Sequence, residues 1–360
     1  MKKIVLFTDS LGAGGAQRQL SGLAVMLNQL NYDVVVLTYY SLDFYKSYLD
    51  EHGVRNIIVG DNCGALKRIK AVRKFLRSEN PQWVIAYQET PSLIASFIKA
   101  TGLKFNLIVS ERNTTQHISI KDRIRFYLYH YATAIVPNSY TQETFMSSRY
   151  RWMTRKLRTV SNFVDLDVFS YNAHIRNQVP LIVVAATIWP PKNTLGFIDA
   201  LKILSDRGLA YKVLWYGYSD AYEDYFNQAK LKIETYGLSK NIELLPKTKN
   251  IKNAYIEADY FCLPSFYEGV PNAIAEAMST GRPILCSNVC DNPRYVNSSN
   301  GFLFDPVSPK DIADKIEKAL FVSETEYAEM CCRSRELAEN FFSKSKFIEQ
   351  YIEILSNNVK

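Results

Sequence analysis

The sequence predicts an α/β protein made of two doubly wound parallel-sheet domains in tandem. Three observations predict it. Short, continuously apolar runs alternate with longer amphipathic stretches, which is the pattern of parallel strands buried on both faces by helices. The alternation occurs twice, on either side of a bland stretch from Asp165 to Val179 that has few packed apolar positions. The length of 360 residues suits two domains of ordinary size.

In the first half, strands are expected at Lys3 to Thr8, Asp33 to Thr38, Asn56 to Val59, Trp83 to Tyr87, Asn106 to Ser110 and Ala134 to Pro137. Helices are expected between them at Ala16 to Gln29, Ala65 to Arg77 and Lys121 to Ala132. The second half repeats the pattern, with strands at Leu181 to Ala186, Lys212 to Tyr216, Ile242 to Leu245, Tyr260 to Leu263 and Pro283 to Cys286. The last helices, Glu326 to Phe342 and Lys346 to Leu355, have no strand between them, so the alternation ends there. The expected division is 1–170 for the first domain and 171–342 for the second, with 343–360 as a C-terminal helix packing back on the first. Tandem domains of this kind are expected to set the carboxyl ends of their sheets across a cleft, where ligands of such sheets bind.

At 47% apolar and 22% charged, the chain can bury a substantial core, which excludes disordered and fibrous classes. Its six cysteines form no Cys-x-x-Cys pair and share no zinc-type spacing with histidine, so free thiols in a reducing compartment are expected. The apolar run Leu181 to Ala186 is far shorter than the ~20 residues of a bilayer span. The opening MKKIVLFTDS lacks the pattern of a signal peptide. A cytoplasmic location follows as the expectation. The net charge of +7 is unevenly placed: residues 1–170 carry 22 Lys/Arg against 13 Asp/Glu, the remainder 21 against 23. A basic first half is expected to face nucleic acid, an acidic lipid surface or a phosphorylated substrate.

The first strand leads into Gly12-Ala13-Gly14-Gly15-Ala16-Gln17-Arg18. Glycines at a strand-to-helix turn allow backbone to approach a phosphate, and a helix N-terminus supplies free N–H groups. The spacing is neither Gly-x-Gly-x-x-Gly nor a Walker loop, so phosphate contact and tight packing remain equal alternatives here. The strongest segment is FYEGVPNAIAEAM, Phe266 to Met278. It runs from a strand end through Glu268-Gly269-Val270-Pro271-Asn272 into a helix carrying Glu276. Gly269 suits a tight turn and Pro271 a first helical turn; amides around Val270, Asn272 and Ala273 would face an anion. Glu268 and Glu276 can accept hydrogen bonds from sugar hydroxyls. The alternative is one loop glutamate and one solvated helical glutamate.

Two glutamates eight positions apart around Gly-Val-Pro-Asn resemble the Glu-x7-Glu motif of family 4 retaining glycosyltransferases, which have the GT-B fold of two Rossmann-like domains. The resemblance spans nearly the whole chain. It takes in Gly14-Gly15-Ala16-Gln17-Arg18, Val160-Ser161-Asn162-Phe163-Val164-Asp165, Pro190-Pro191-Lys192-Asn193, Ala277-Met278 and Gly281-Arg282-Pro283. Ser110-Glu111-Arg112-Asn113 is similar to members that build bacterial surface polysaccharides.

The resemblance implies a retaining, metal-independent hexosyltransferase whose C-terminal domain holds a nucleotide-sugar donor such as a UDP- or GDP-hexose. The N-terminal domain would bind a lipid-linked or oligosaccharide acceptor, and no separate cofactor is implied. Glu268 would contact the hexose near the reaction centre; Gly269, Val270, Pro271 and Asn272 would line the diphosphate; Glu276 would hold the ribose. Lys192 would balance the departing charge, and Gly14 and Gly15 would reach toward the leaving phosphate or acceptor. His117 is the residue similar to a histidine that faces the sugar in family members. Thr187 stands where the family commonly carries an arginine. Either Arg18, Arg112 or Lys247 supplies the missing cation, or the chain is a slow enzyme or an inactive subunit binding a glycan or partner enzyme. A sugar-nucleotide epimerase can share the fold, and no residue pattern here favours one.

Asp165-Leu166-Asp167 resembles a manganese-binding Asp-x-Asp but lies in the expected linker without further carboxylates, so no metal site is expected. The basic stretch Lys67 to Arg77 reads as an amphipathic helix with Leu66, Ile69, Val72 and Leu76 on the packed stripe. Together with Arg149-Tyr150-Arg151-Trp152 and Arg155-Lys156, it suits adhesion to an anionic membrane. Nucleic-acid motifs are missing from the sequence, and that partner class is not expected.

Overall fold

A computed structural model describes residues 2–112, 115 and 118–357. The chain divides into two units, Met1–Asn162 with Phe347–Lys360, and Phe163–Lys346.

In the first unit, six strands form one parallel sheet: β1 (Lys3–Phe7), β2 (Asp33–Thr38), β3 (Arg55–Ile58), β4 (Trp83–Tyr87), β5 (Asn106–Glu111) and β6 (Ala134–Pro137). Their order is β3-β2-β1-β4-β5-β6, so the winding reverses between β1 and β4. Every side chain from Ile4 to Phe7 and from Trp83 to Tyr87 is buried, which is why these strands read as unbroken apolar runs. Helices Ala65–Glu79, Glu89–Ala100 and Ile120–Leu128 contribute Val72, Leu76, Ile94, Ile98 and Phe126 to one core with Val5, Val84 and Val109. Leu66 departs from expectation: it is 78% exposed, because it occupies the first turn of its helix, ahead of the buried Val72 and Leu76. The end of helix Lys344–Asn357 belongs to this unit. There the Tyr351 hydroxyl lies 2.7 Å from that of Tyr87, with both side chains buried.

The second unit repeats the topology. Its strands are β7 (Leu181–Ala185), β8 (Lys212–Tyr218), β9 (Ile242–Pro246), β10 (Tyr260–Leu263), β11 (Ile284–Ser287) and β12 (Gly301–Phe304), all parallel, in the order β12-β11-β10-β7-β8-β9. The reversal here falls between β7 and β10. Strand β12 was not expected: four residues following the polar Asn297 to Asn300 carry little pattern.

The division falls after Asn162, ahead of the expected position 170, because Val164 and Phe169 are buried in the second unit's core. Val164 N–H also donates to the Phe342 carbonyl at 2.8 Å. Asp165 accepts from the Asp167 and Val168 amides at 3.2 and 3.3 Å and pairs with Lys344 at 2.6 Å. The Asp-x-Asp string thus forms a turn and an ion pair.

Two features hold the second sheet's strand ends in place. The buried Asp259 carboxylate accepts hydrogen bonds from His174 Nε2 (2.9 Å), the Asn177 amide (2.9 Å), the Asn177 side chain (2.9 Å) and the Leu181 amide (2.6 Å). At 217, a Cβ would collide with the Ala186 carbonyl oxygen. That oxygen accepts from Trp215 Nε1 at 2.8 Å, and Ile188 N–H donates to the Gly217 carbonyl at 3.1 Å. The loop after β7 is therefore fastened to β8 at a spacing only glycine allows.

Burial alone would raise the Asp259 pKa, but the bonds from His174, Leu181 and Asn177 outweigh it and hold it below the usual carboxylate value. Its stabilisation is therefore present above the ordinary carboxylate range and lost as pH falls through the depressed folded value. Asp259→Ala strands several buried donors and is expected to cost roughly 3 kcal/mol in urea unfolding of the second unit. An unchanged midpoint contradicts this. Gly217→Ala is expected to cost about 1–3 kcal/mol in the same assay, and wild-type stability would show that the loop has room to yield.

Candidate active site

Apart from Lys247, which follows β9, the expected donor residues of the second unit come from the segments that leave β7 and β10, the strands flanking the winding reversal. In doubly wound sheets that edge is where ligands bind, because adjacent loops diverge there to opposite faces. After β7 the chain makes a 3-10 turn, Pro190–Lys192, and Asn193 turns left-handed with φ 57°. Asparagine is among the residues that tolerate this conformation best. Its side-chain amide donates to the Pro306 carbonyl at 2.7 Å and it is buried, which fixes the start of helix Thr194–Asp206 and aims Lys192 off the turn.

After β10, Pro264 and Ser265 are buried and Glu268 follows, 8% exposed. The two loops meet at two points. Phe266 N–H donates to the Pro191 carbonyl at 2.9 Å, and the Lys192 ammonium donates to Glu268 Oε1 in a largely buried ion pair. A charge-assisted bond in such a setting fixes both side chains more firmly than a surface pair would. It places one ammonium and one carboxylate side by side at the ends of central strands.

The residues that follow Glu268 form the start of helix Asn272–Ser279. Val270 and Pro271 are buried, and Gly269 and Asn272 are partly exposed. Pro271 caps the helix with φ −72° and ψ 114° rather than occupying its first turn, and it supplies no side-chain cap. Glu276 is buried, and Tyr255 donates to its Oε2 at 3.2 Å. Thr187 is partly buried in the loop fastened to Gly217 and brings a hydroxyl without charge. Lys247 is exposed just after β9, at the same end of the sheet. Among the described residues it has no ion-pair or hydrogen-bond partner.

The first unit has its own polar cluster at its winding reversal. Gly14 is the extended N-cap of helix Gly15–Gln29, with φ −143°. The Gln17 amide packs across it and donates to Asp9 Oδ1 at 3.0 Å. Arg112 is buried over the Tyr87 ring at 4.8 Å and donates to Ser110 and Asn162, so it is committed within this unit. His117 lies outside the described residues, as does Asn113.

Sequence reasoning missed three kinds of residue here. Ser265 is buried just past the end of β10, with a side-chain oxygen lacking a partner among the described residues, and Thr194 is buried where helix Thr194–Asp206 begins; the only signal for Ser265 was its position beside a strand end. Gln88 has φ 72° and ψ 171°, a region nearly reserved for glycine and most often found at functional positions. It accepts from the Thr8 hydroxyl at 2.9 Å, directly after β4. Cys286 and Cys290 lie near Glu268. Burial pushes both thiols up; the Glu268 charge adds to the effect at Cys286, whereas at Cys290 a hydrogen bond to the Glu268 backbone partly offsets it. They stay protonated and are poor nucleophiles.

Comparison with known proteins agrees with this architecture. The family described as Glycosyltransferase Family 4 matches residues 13–168, and Glycosyl transferases group 1 matches residues 171–332. An Escherichia coli UDP-Gal:alpha-D-GlcNAc-diphosphoundecaprenol alpha-1,3-galactosyltransferase is 30% identical over 162 residues, 42% of this chain and 41% of that protein. An E. coli O-antigen chain mannosyltransferase B is 32% identical over 33% of this chain and 31% of its own length. These two matches thus span less than half of either relative. A Campylobacter jejuni alpha-1,4-N-acetyl-D-galactosaminyltransferase acting on a diphosphoundecaprenol-linked glycan is 23% identical over 77% of both chains. Among solved structures, Anabaena HepE in complex with UDP superposes with a TM-score of 0.86 at 18% identity, over 99% of this chain and 100% of that one. The lipopolysaccharide outer core galactosyltransferase WaaB gives 0.81 at 15% identity over all of both chains. With two Rossmann-like units, each matched by its own glycosyltransferase family, the chain belongs to the GT-B-fold glycosyltransferases related to those of bacterial surface polysaccharides.

Proposed function

We propose that this chain is a retaining hexosyltransferase that moves a sugar from a nucleoside-diphosphate donor to a hydroxyl of a lipid-linked glycan during surface-polysaccharide assembly. The observation that carries the reading is the Lys192–Glu268 pair, set at the winding reversal of the second sheet. The coarser part, sugar transfer from such a donor, is consistent with the relatives' described activities. The stereochemistry and the acceptor rest on the residues' chemistry.

On this reading the donor diphosphate lies against Lys192 and the start of helix Asn272–Ser279, where amide N–H groups and the positive end of the helix dipole favour an anion. Gly269, Val270, Pro271 and Asn272 line it, and Glu276 accepts from the ribose hydroxyls. Glu268 orients the hexose while holding Lys192 in place. As the bond from C1 to the phosphate oxygen breaks, negative charge grows on the diphosphate and Lys192 is already positioned to meet it, an electrostatic effect that lowers the barrier. The acceptor oxygen attacks C1 on the face the phosphate leaves, and the departing phosphate oxygen takes the acceptor's proton. The products are the glycoside, with its configuration retained, and a nucleoside diphosphate. Lys192 and the amides supply the stabilising charge, so the reaction requires no divalent ion.

Thr187 leaves one cation fewer than the family pattern. Lys247, in the same unit and exposed at the same end of the sheet, is the candidate replacement; Arg112 is tied up by Tyr87, Ser110 and Asn162, and Arg18 belongs to the other unit. The first unit, with Gly14, Gly15 and the strained Gln88 at its own strand ends, takes the acceptor. His117 is the expected contact to the sugar. Work at the cytoplasmic face of a membrane follows from an acceptor carried on lipid. Thr187 is also the one feature favouring a non-catalytic subunit that binds glycan without turning it over.

Nucleoside-diphosphate release from a panel of donors, with lipid extract as acceptor source, separates these readings. Lys192→Ala and Glu268→Gln are expected to lower kcat by about 10²–10³, with donor binding measured by calorimetry still detectable and activity insensitive to EDTA. Wild-type turnover in either variant removes the site assignment, and donor binding without turnover in the parent chain favours the subunit reading. Proton NMR of the isolated product is expected to show the donor's anomeric configuration. An inverted product would exclude same-face attack.

A further inference from the structure

Between 118 and 158 the sequence holds eight basic side chains against two acidic ones. Both acids are engaged: Asp122 pairs with the buried Arg125 at 3.1 Å, and Glu143 accepts the Thr159 hydroxyl. Arg125 spends its charge inward, beside Glu89 and Glu111 as well. Lys121, Arg123, Arg149, Arg151 and Arg155 are exposed; Lys121 shares Asp122 with Arg125, and the four arginines form no ion pair among the described residues.

The helix carrying several of these groups has an unusual apolar face. Helix Ile120–Leu128 buries Arg125 and Phe126, while Ile120 is 78% exposed, Ile124 52% and Tyr127 68%, with Tyr131 in the next turn at 44%. Spacings of four, three and four residues put these on one stripe. A soluble surface helix normally turns such a stripe inward. Beside it is a cavity of about 460 Å³ lined by Ile118, Arg123, Tyr127, Arg149, Tyr150 and Trp152, with the His130 ring stacked on Trp152 at 3.6 Å. The other basic helix, Ala65–Glu79, differs: it buries Val72 and Leu76 and shows only Leu66 at its first turn.

We propose that this face of the first unit docks on an anionic bilayer. Ile120, Ile124 and Tyr127 enter the boundary between headgroups and acyl chains, and Arg123 and Arg149 at the cavity rim bind lipid phosphates. Charge complementarity selects this occupant. A second copy of the same face would bring like charges together, and a nucleic acid would leave the isoleucines uncovered. The assignment deepens the proposed function, which needs a surface to present a lipid-linked acceptor, by naming the face that meets it.

The test is sedimentation of the full chain with vesicles of phosphatidylcholine alone or mixed with phosphatidylglycerol. Binding is expected only with phosphatidylglycerol and is expected to weaken as salt rises. Ile124→Glu/Tyr127→Glu and Arg149→Glu/Arg151→Glu are each expected to reduce it by about tenfold or more, while Lys70→Glu/Lys74→Glu retains most of it. Thermal melting and nucleoside-diphosphate binding by the second unit report whether each variant is folded. Equal binding by the parent and stripe variants overturns the proposal, as does a salt-stable dimer that Ile124→Glu dissociates. Vesicle binding without donor turnover would keep the docking face and remove the transferase reading; turnover without vesicle binding would do the reverse.

Discussion

A departing diphosphate must have its growing negative charge met by groups already in place, since side chains that reorganise during bond cleavage would forfeit much of their stabilisation. In this chain the ammonium of Lys192 is held by Glu268. The two residues come from loops that leave neighbouring central strands of the second sheet. The surrounding structure maintains that meeting: Asn193 turning left-handed onto Pro306, Phe266 bonded to Pro191, and the β7 loop drawn against Gly217. Each is a short-range constraint, and together they leave Lys192 little freedom.

The strands were legible because parallel sheets covered on both faces demand unbroken apolar runs. Ile4 to Phe7, Val34 to Leu37 and Phe261 to Leu263 are buried throughout and admit no other reading. Strand β12 was not legible because its four residues, opening on Gly301, are too few to show a period, although Phe302 and Phe304 are buried. The boundary at Asn162 was hidden because Phe163 to Phe169 lie in a segment that forms neither helix nor strand, so no periodicity assigns Val164 and Phe169 to a core. Only the tertiary structure reveals the core they enter.

The candidate site was partly readable. Glu268, Gly269 and Glu276 lie within one segment whose pattern belongs to a family, and Lys192 lies in another. That Lys192 and Glu268 touch follows from strand order, which no local pattern encodes. The orphan hydroxyl of Ser265 and the strained Gln88 were invisible for the same reason: burial and backbone conformation are properties of the assembled sheet. The basic first half suggested an anionic partner from charge alone, whereas the exposed stripe of Ile120, Ile124 and Tyr127 emerges only once the helix has a buried side.

The most direct test is a crystal structure of the full chain with a bound nucleoside diphosphate. The account predicts diphosphate oxygens within hydrogen-bonding distance of the Lys192 ammonium and of amides at the start of helix Asn272–Ser279, with the ribose on Glu276. A diphosphate bound elsewhere, with the Lys192–Glu268 pair undisturbed and unapproached, would contradict it.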